Sequence, residues 1–429
     1  MDPIALSIFA SRIEAVCDEM GAVLQRAAFS PNIRDRLDFS CAVFDAHGQL
    51  CAQAAHIPVH LGSMAFAMAG IVSRLDWAPG DQVIVNDPFL GGTHLPDVTV
   101  IAPVFIEGEL LGFVANRAHH ADIGAHSPGS MPISRSLEEE GVVIAPTHLV
   151  RGGHRDEAVL EGIVGATRNP DEGRGDFAAQ LSANRAGLAR LGQLVGDFGG
   201  GEFVRALGAL NDYAERLALD ALGAIPDGDY RFQDMMDDDG LGHSDLVIAA
   251  EVRASGGRVH VDFTGTAEQT PGNINCPLSV AAAGVYYVFR CLMPPQTPAC
   301  AGTFRPITLT APEGCLLNAR RPAAVAAGNV ETSTRVVDVV MGALAPALPE
   351  AIPAASHGSM NNLAMGHAGG VGVPAWDYYE TIGGGMGAGH VGGGLDGVQT
   401  HMTNTRNTPL EVLESNYPLR LRRYALRAG

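Results

Sequence analysis

The chain has 429 residues, of which 46% are hydrophobic, and its formal net charge at pH 7 is −19. This length predicts two or three compact units, and the apolar content is sufficient for substantial cores. The negative charge argues against nucleic acid or an anionic membrane as a partner, because it leaves no basic surface to neutralise phosphates.

Cysteine use and hydropathy indicate the cellular compartment. The seven cysteines are odd in number, form no CxxC pair and lie mostly in apolar segments, which is typical of reduced core thiols in a cytosolic protein. The first twenty residues have no basic leader before an apolar stretch, and no apolar run is long enough to span a bilayer. We therefore expect a cytoplasmic protein without a membrane partner.

The chain begins with a predicted helix over residues 2–27. Asp2 is a suitable N-cap, Pro3 fits the first turn, and apolar residues recur every three or four positions along one face. Pro31 marks the end of the helical pattern.

A hairpin is predicted next, with strands Phe39–Val43 and Gln49–Ala54 on either side of the turn sequence DAHG. His56 and His60 follow it in the segment HIPVHLGS. Because a proline between them would interrupt a helix, we interpret both as structural residues or as supports for nearby ligands. The second helix is expected to start near Ser63.

Polar residues then cluster in two loops at predicted strand ends. The first loop lies between the β-branched runs Val83–Val85 and Val98–Val104, and it contains Asp87, His94 and Asp97. The second loop follows a strand that starts near residue 110. Its polar residues are Arg117, His119, His120, Asp122 and His126.

Imidazole and carboxylate groups that converge from strand-end loops are typical ligands of a divalent metal. His94 and Asp97 lie three residues apart in a segment that Pro96 keeps out of a helix, so a tight bend can bring both side chains to one side. His119 or His120 would supply a third ligand, and only one of the two can reach the metal because adjacent strand residues point in opposite directions.

The fourth ligand would come from Asp38, immediately before the first hairpin strand, or from Asp87. Two imidazoles and two carboxylates form an N₂O₂ set that suits Mn, Zn or Fe.

The middle of the chain predicts a helical hairpin, residues 176–222, from the periodic segments Asp176–Val195 and Glu202–Leu222. We place a boundary near Ile225, between an N-terminal metal-binding region (1–225) and a β-rich, glycine-rich region (226–429). A β-hairpin is predicted from residues 246–253 and 258–265, joined by a Gly-Gly turn.

Two further helices are predicted at Leu278–Leu292 and Glu331–Leu344. The glycine-rich stretch Gly383–Gly394 is interpreted as a flexible surface loop. It lacks the strand–loop–helix context and the following lysine of a phosphate-binding loop.

Several long segments are spread over nearly the whole chain, including HIPVHLGSM, NDPFLGGTHLPD, RAHHADIG, FRPITLTAPEG, GNVETSTRVVD and THMTNTRNTPLEVLE. Together they resemble the hydantoinase B/oxoprolinase family. The family comprises the B-type components of ATP-dependent N-methylhydantoinases, the corresponding half of 5-oxoprolinase, and related subunits of acetone and acetophenone carboxylases. Its members usually continue further, so we expect the family's C-terminal tail to be absent here.

This resemblance implies a set of site residues. The metal ligands would be Asp38, His94, Asp97 and His119, which favours Asp38 over Asp87 and His119 over His120. His120 and Asp122 would belong to the catalytic set by orienting those ligands. Polar residues of the glycine-rich loops would line the substrate path, namely Asn329, Glu331, Asn361, His401, Asn404 and Arg406.

The resemblance also implies a fold and a function. We expect an α+β fold of the hydantoinase B type, with mixed and antiparallel sheets and packed helices. The chain would be the metal-bearing B-type subunit of an ATP-dependent cyclic amide hydrolase that acts on hydantoins or lactams of the 5-oxoproline kind. In such hetero-oligomers a hydantoinase A-type partner binds ATP and phosphorylates the amide oxygen.

Two alternatives remain at this point. The first is a subunit of an acetone- or acetophenone-type carboxylase, which would share the metal ligands. The second is a non-catalytic scaffold with a structural metal, although closed structural zinc sites favour cysteine over an N₂O₂ set.

Overall fold

The computed structural model describes residues 2–54 and 56–426. Outside the described residues lie Ala55, Met1 at the start of the first predicted region, and residues 427–429 at the end of the second. Its helices are α1 (Pro3–Ala27), α2 (Pro31–Arg34), α3 (Pro58–Val72), α4 (Glu157–Val164), α5 (Pro170–Phe198), α6 (Gly200–Leu222), α7 (Leu278–Cys291), α8 (Ala301–Phe304), α9 (Ser333–Leu344) and α10 (Leu410–Asn416).

The strands divide between a large sheet in the first half of the chain and smaller sheets in the second. The first group is β1 (Phe39–Asp45), β2 (Leu50–Gln53), β3 (Gln82–Val85), β4 (Asp97–Ile106), β5 (Glu109–His119), β6 (Thr147–Arg151) and β7 (His154–Arg155). The second group is β8 (Gly228–Asp238), β9 (Ser244–Ser255), β10 (Arg258–Asp262), β11 (Ile307–Thr310), β12 (Asn362–His367), β13 (Trp376–Thr381), β14 (Gly384–Gly385) and β15 (Asp396–Val398).

The N-terminal helix forms as predicted. The Asp2 carboxylate accepts hydrogen bonds from the backbone N–H groups of Ile4 and Ala5 at 3.0 and 3.1 Å, and Pro3 occupies the first turn. These contacts satisfy two of the donors that a helix start leaves free. The buried face packs into the core shared with α5 and includes Phe9, Ile13, Cys17, Met20 and Leu24.

The first-group strands form one antiparallel sheet in the order β2-β1-β5-β4-β3-β6-β7. Successive residues of β1 point to opposite faces: Cys41 and Val43 join the core with α1, α5 and α6, whereas Ala42 and Phe44 join the core with α3 and α7. Burial on both faces explains why β1 is apolar without a break from Cys41 to Phe44.

The smaller sheets complete the α+β fold that the sequence predicts. Strands β11-β10-β9-β8 form a mixed sheet, since β10 pairs with β11 in parallel and with β9 in antiparallel. The predicted β9–β10 hairpin is confirmed, with both turn glycines, Gly256 and Gly257, at positive φ. Strands β12 and β13 form a separate antiparallel pair.

The start of the second helix differs from its predicted position. Helix α3 begins at Pro58, not near Ser63, because proline is well suited to the first helical position, where its missing N–H needs no partner. Pro58 therefore starts this helix instead of interrupting it. As a result, His60 lies in the first turn of α3.

The helical hairpin is longer than predicted. Helix α5 begins at Pro170, where the Asn169 side chain accepts a hydrogen bond from the N–H of Glu172. Gly199, at φ 81°, separates it from α6. Helix α7 agrees with its prediction to within one residue, and α9 starts at Ser333 after one π-helical turn over Gly328–Thr332.

The glycine-rich stretch near the C-terminus is a loop that contains one short strand. Gly384 and Gly385 form β14, which pairs with β15. A Cβ atom on Gly387 would lie 1.9 Å from the Ala354 carbonyl oxygen, so this glycine is required by a close backbone approach. The surface-loop prediction holds for Val391, which is fully exposed.

One hydrophobic core includes residues from both predicted regions. Phe44, Met68 and Phe113 of the first region share it with Phe289 and Val337 of the second. The boundary near residue 225 stays a prediction about sequence organisation. Among the described residues, every helix is too short or too polar to cross a membrane.

Candidate metal centre

The β4–β5 ladder sets the position of two predicted ligands. Asp97 is the first residue of β4 and His119 the last residue of β5, and the two are direct partners in the antiparallel register. The His119 N–H also donates to the carbonyl of Asp38, just before β1, at 3.0 Å. Residues that are distant in sequence therefore meet because neighbouring strands end together at one sheet edge.

The loop that carries His94 is held by close backbone contacts. Gly91 adopts φ 112°, and a Cβ atom on Gly92 would lie 2.1 Å from the Asn86 carbonyl oxygen. The Asn86 amide donates to the Leu95 carbonyl at 2.8 Å and so fixes the loop next to the ligand positions. Only glycine fits the two tight positions.

Asp97 is fully buried at the centre of a polar cluster. Its Oδ1 lies 3.2 Å from His119 Nδ1, and its Oδ2 lies 3.3 Å from His94 Nε2 and 3.2 Å from His60 Nε2. Thr93 Oγ1 donates to Oδ2 at 2.6 Å, and Asn329 Nδ2 does so at 3.3 Å.

Hydrogen bonding leaves the two predicted histidine ligands with free Nε2 atoms. His94 Nδ1 lies 3.0 Å from the Ala326 carbonyl and His119 Nδ1 lies 3.2 Å from a carboxylate; because both oxygens only accept, each Nδ1 must carry the proton. Both Nε2 atoms are buried and form no hydrogen bond with residues 2–54 and 56–426, although His94 Nε2 lies 3.3 Å from Asp97 Oδ2. Each imidazole thus offers a lone pair where a metal ligand would need one.

The distances fit a single cation. One ligand atom each from His94, Asp97 and His119 can be chosen so that all lie within 4.8 Å of one another. The cluster lines a cavity of about 20 Å³, which is room for one water molecule or ion. Of the four predicted ligands, three form this group, and Asp38 lies outside it but lines the same cavity.

Burial and mutual attraction set the charge states of the cluster. Burial opposes ionisation of Asp97, but His60, His94 and His119 outweigh it and hold the pKa of Asp97 well below its ordinary value. Burial also lowers the pKa of His119. For His94 burial acts in the same direction, but the Asp97 carboxylate overcomes it and raises the pKa.

His60 agrees with one of its two predicted roles, a support for nearby ligands, because its Nε2 lies 3.2 Å from Asp97 Oδ2. Two other residues of the centre have roles that sequence reasoning missed. Tyr379 stacks on the His119 ring with centroids 4.7 Å apart, while the buried Arg36 donates to the Tyr379 carbonyl at 2.8 Å. No local pattern links Tyr379 to His119, because about 260 positions of sequence separate them.

A buried carboxyl group, that of Glu140, holds the backbone segment whose carbonyl contacts His94. Glu140 Oε1 accepts from the N–H groups of Val325 and Ala326 at 2.8 and 2.9 Å and from Ser134 Oγ at 2.7 Å. Ala326 is the residue whose carbonyl contacts His94. Burial raises the pKa of Glu140 to about 7.

The two residues predicted for the catalytic set contact other groups. His120 Nε2 lies 3.0 Å from Gln180 Oε1, and its ring packs on Phe177. Asp122 accepts from the N–H groups of Gly124 and Arg168, both at 2.7 Å. Both line a second, larger cavity. Their hydrogen bonds connect them to Gln180 and Arg168 and not to Asp97. Their catalytic role stays a prediction.

The predicted substrate residues do not form one group. Asn329 reaches Asp97 and lines the small cavity. Glu331 accepts from Ser359, and His401 lies 3.0 Å from Asp338. The remaining three, which contact loop backbone, are Asn361, Asn404 and Arg406. The small cavity is instead lined by the sequence neighbours of these residues, namely Met360 beside Asn361, and Met402 and Thr403 between His401 and Asn404.

Comparison with known proteins gives the context of this centre. A model of the family described as hydantoinase B/oxoprolinase matches residues 2–429. An uncharacterized protein of Methanocaldococcus jannaschii is 39% identical over 100% of this chain and 75% of its own length. The putative B component of a D-/L-hydantoinase from Pseudomonas sp. is 33% identical with the same coverage.

Other relatives are much longer than this chain. The 5-oxoprolinase 1 of Arabidopsis thaliana is 38% identical over 99% of the chain, which spans only 35% of that protein.

Two solved structures have the same fold. The ATP-dependent caprolactamase of Pseudomonas jessenii superposes with a TM-score of 0.91 and 28% identity over 99% of this chain and 75% of its own. A nucleotide-free acetone carboxylase gives a TM-score of 0.87 at 18% identity, covering 98% of this chain and 58% of that one.

Proposed function

Because this chain belongs to the hydantoinase B/oxoprolinase family, we propose that it is the metal-bearing B-type subunit of an ATP-dependent cyclic amide hydrolase. The observation that carries the proposal is the grouping of the Asp97 carboxylate with the buried Nε2 atoms of His94 and His119, which form no hydrogen bond with the described residues. Relatives named as 5-oxoprolinase and as a hydantoinase component, and the caprolactamase neighbour, support a cyclic amide as the substrate class.

His94, Asp97 and His119 would hold the metal, with Asp38 as the fourth ligand. Two imidazoles with carboxylate oxygens suit Mn, Zn or Fe. A bound divalent ion supplies hydrolytic chemistry by lowering the pKa of water towards about 7 and by polarising the electrophile.

The surrounding residues would orient the ligands and limit access. The Ala326 carbonyl and the Asp97 carboxylate fix the tautomers of His94 and His119. Thr93 and Asn329 donate to Asp97, and His60 Nε2 lies 3.2 Å from its Oδ2; these contacts would keep Asp97 ionised without taking a ligand position. Apolar side chains in the cavity wall reduce the amount of water that reaches the centre; these are Ile57, Val59, Val330, Met360 and Met402.

An A-type partner would bind ATP and phosphorylate the amide oxygen, because an amide is a poor electrophile and its oxygen a poor leaving group. The proposal therefore includes a hetero-oligomer. It also includes a cytoplasmic location, which the seven unpaired cysteines support. We favour the hydrolase over the carboxylase because relatives above 30% identity bear hydrolase names, whereas the 18% likeness to acetone carboxylase establishes the fold alone.

The test is ring opening of a panel of hydantoins, 5-oxoproline and caprolactam by this chain together with its A-type partner. We expect turnover that requires ATP and both proteins, since activation and hydrolysis take place on different subunits. Product is measured by chromatography. Hydrolysis by this chain alone without ATP would contradict the division of labour.

The metal is tested in the same preparation by elemental analysis. We expect about one divalent ion per chain, and less than about a tenth of that after His94→Ala, because the substitution removes a ligand. The matched control is His260→Ala on β10, where the ring contacts Thr308 and Thr310. Full metal retention by the His94 variant would disprove the ligand assignment.

A further inference from the structure

A cavity of about 830 Å³ lies beside the metal centre and has no part in the proposed function. His120 lines it, whereas the adjacent His119 faces Asp97. Its other walls come from the end of α1, the start of α5, β13 and the residues after α10. The volume is within the range of about 300–1,000 Å³ that is usual for small-molecule sites.

One wall carries a buried carboxylate with an unused oxygen. Asp377 is 7% exposed, and its Oδ1 accepts from the Gly129 N–H at 3.1 Å and lies 3.5 Å from Arg168 Nη1. Its Oδ2 has no hydrogen-bond partner in the part of the chain that the structure describes. A buried carboxylate oxygen without a donor is costly, so this atom points to a ligand that supplies one.

Glu172 adds a second carboxyl to the same cavity. Burial, then Asp176 and Asp377, raise the pKa of Glu172 to about 7; burial, then Asp122, raise the pKa of Asp377 to about 6. Burial is the largest cause of both shifts and the neighbouring carboxylates add to it, so a positively charged occupant would favour the ionised form of both groups.

The neighbouring carboxylate of Asp176 already accepts hydrogen bonds from the backbone. Asp176 Oδ1 accepts from the N–H groups of Phe29 and Ser30 at 2.7 and 3.1 Å, which holds the segment between α1 and α2. Arg34 lines the cavity and donates to Asp35 at 2.8 Å; its charge opposes the raised pKa of Glu172 without overcoming the effect of burial.

The remaining wall is aromatic. Phe29 is 58% exposed and lines the cavity together with Trp376 and Tyr417. The Trp376 and Tyr417 rings meet edge to face, with centroids 5.6 Å apart. Aromatic faces beside carboxylates are the usual surroundings of an organic ammonium ion, whose charge is attracted by both.

We propose that this cavity binds a small organic ammonium ion, with its charged group at Asp377 and Glu172 and its apolar body against Phe29, Trp376 and Tyr417. The site is separate from the metal ligands, but it shares a wall with them through the neighbours His119 and His120. An occupant would therefore contact the segment that holds the metal ligand.

The proposed function suggests which ammonium ion this is, and this one step rests on it. Hydrolysis of a lactam breaks the C–N bond of the ring; water supplies the oxygen of the new carboxylate, and the nitrogen becomes an ammonium group on the same molecule. Arg26, which is exposed and lines the cavity, can meet that carboxylate. The ligand class is thus the ring-opened amino acid.

Trp376 provides the readout, because the chain has two tryptophans and a Trp77→Phe background leaves Trp376 alone. The fluorescence titration uses n-hexylammonium, 6-aminohexanoate and hexanoate. We expect saturable changes with both ammonium compounds and none with hexanoate. Asp377→Asn and Glu172→Gln should each weaken binding about tenfold, as is usual for a lost charge-assisted hydrogen bond.

Asp171→Asn is the matched control, because Asp171 lines the same cavity but its side chain is 93% exposed. We expect it to change the affinity less than about twofold, since an exposed charge is screened by water. Equal weakening by the control and by both test variants, or binding of hexanoate as tight as that of n-hexylammonium, would overturn the proposal. If Asp377→Asn does not fold, the affinity of Glu172→Gln is compared with that of the Asp171→Asn control.

Failure of this site and failure of the proposed function are distinguishable. His94→Ala should lose metal and still bind n-hexylammonium with unchanged affinity. If n-hexylammonium binds and 6-aminohexanoate does not, the ammonium site stands and its link to the ring-opened product is wrong.

Discussion

Asp97 and Glu140 are both buried carboxyl groups, but their surroundings differ. Three imidazoles surround Asp97 and favour its charged form. Glu140 receives three neutral donors on one oxygen, and its other oxygen has no partner among the described residues. Burial therefore dominates at Glu140, and its pKa lies at about 7 instead of 4.5. The folded state keeps a proton that the unfolded state releases.

This difference predicts a pH dependence of stability. Because the pKa of Glu140 is raised in the folded state, its contribution to the free energy of unfolding is fully present below pH 4.5 and is lost as the pH rises from 4.5 to about 7. Glu140→Gln should remove that part of the slope, which amounts to up to about 3 kcal/mol. The measurement is the free energy of unfolding by guanidinium between about pH 5 and pH 8. An unchanged slope in the variant would show that Glu140 ionises freely.

At individual residues, sequence reasoning was most successful where the signal is local. Asp2 and Pro3 start α1 as predicted, and the cluster of His94, Asp97 and His119 forms. The placement of His60 in the first turn of α3 was missed because Pro58 was interpreted as a helix interruption, but its role as a support for a ligand was among the predicted alternatives. The stacking of Tyr379 depends on tertiary structure, so no spacing in the sequence could reveal it.

At the scale of elements, the centre depends on how the β3–β4 loop folds back on itself. Gly92 lies against the Asn86 carbonyl, and the Asn86 side chain then holds Leu95 between the two ligands. Gly91 uses the conformational freedom of glycine at φ 112°, whereas Gly92 is needed for close packing. Helix α3, next to this loop, supplies His60.

Gly92→Ala should therefore disturb the metal ligands. A Cβ atom 2.1 Å from the Asn86 carbonyl forces the backbone to move, which we expect to cost about 1–3 kcal/mol of stability and to reduce metal content. Thermal unfolding and elemental analysis measure the two effects. In Gly192→Ala, within α5, the new methyl group meets no atom within 4 Å, so stability should rise by about 0.5–1 kcal/mol. Equal metal content in both variants would contradict this role of the loop.

At the scale of the whole molecule, the α+β fold class followed from the resemblance to the hydantoinase B/oxoprolinase family, but the way the two regions pack was not predicted. Phe44 and Met68 share a core with Phe289 and Val337, although more than two hundred residues separate the two pairs. Contacts of such long range leave no periodic signal. The predicted boundary near Ile225 reflects a change in local pattern, and the shared core favours joint unfolding.

The two tryptophans test this, because Trp77 lies in the first region and Trp376 in the second. In guanidinium titrations of Trp77→Phe and Trp376→Phe, each variant reports on one region by fluorescence. We expect each curve to share its midpoint with the same variant's own circular dichroism curve, since the common core makes unfolding cooperative. A fluorescence midpoint that precedes the loss of helix signal would mean that the regions unfold separately.

The β4–β5 hairpin places its turn far from its ligands. Asp97 and His119 pair at one end, while Glu107 and Gly108 are exposed at the other, with a register irregularity at Val104/Phe105 in between. Additional residues inserted in this turn would project into solvent, and the paired ends would still meet. The turn is thus a convenient attachment point for a fluorescent dye or an affinity tag, which would let the protein be tracked during assembly while its chemistry stays intact.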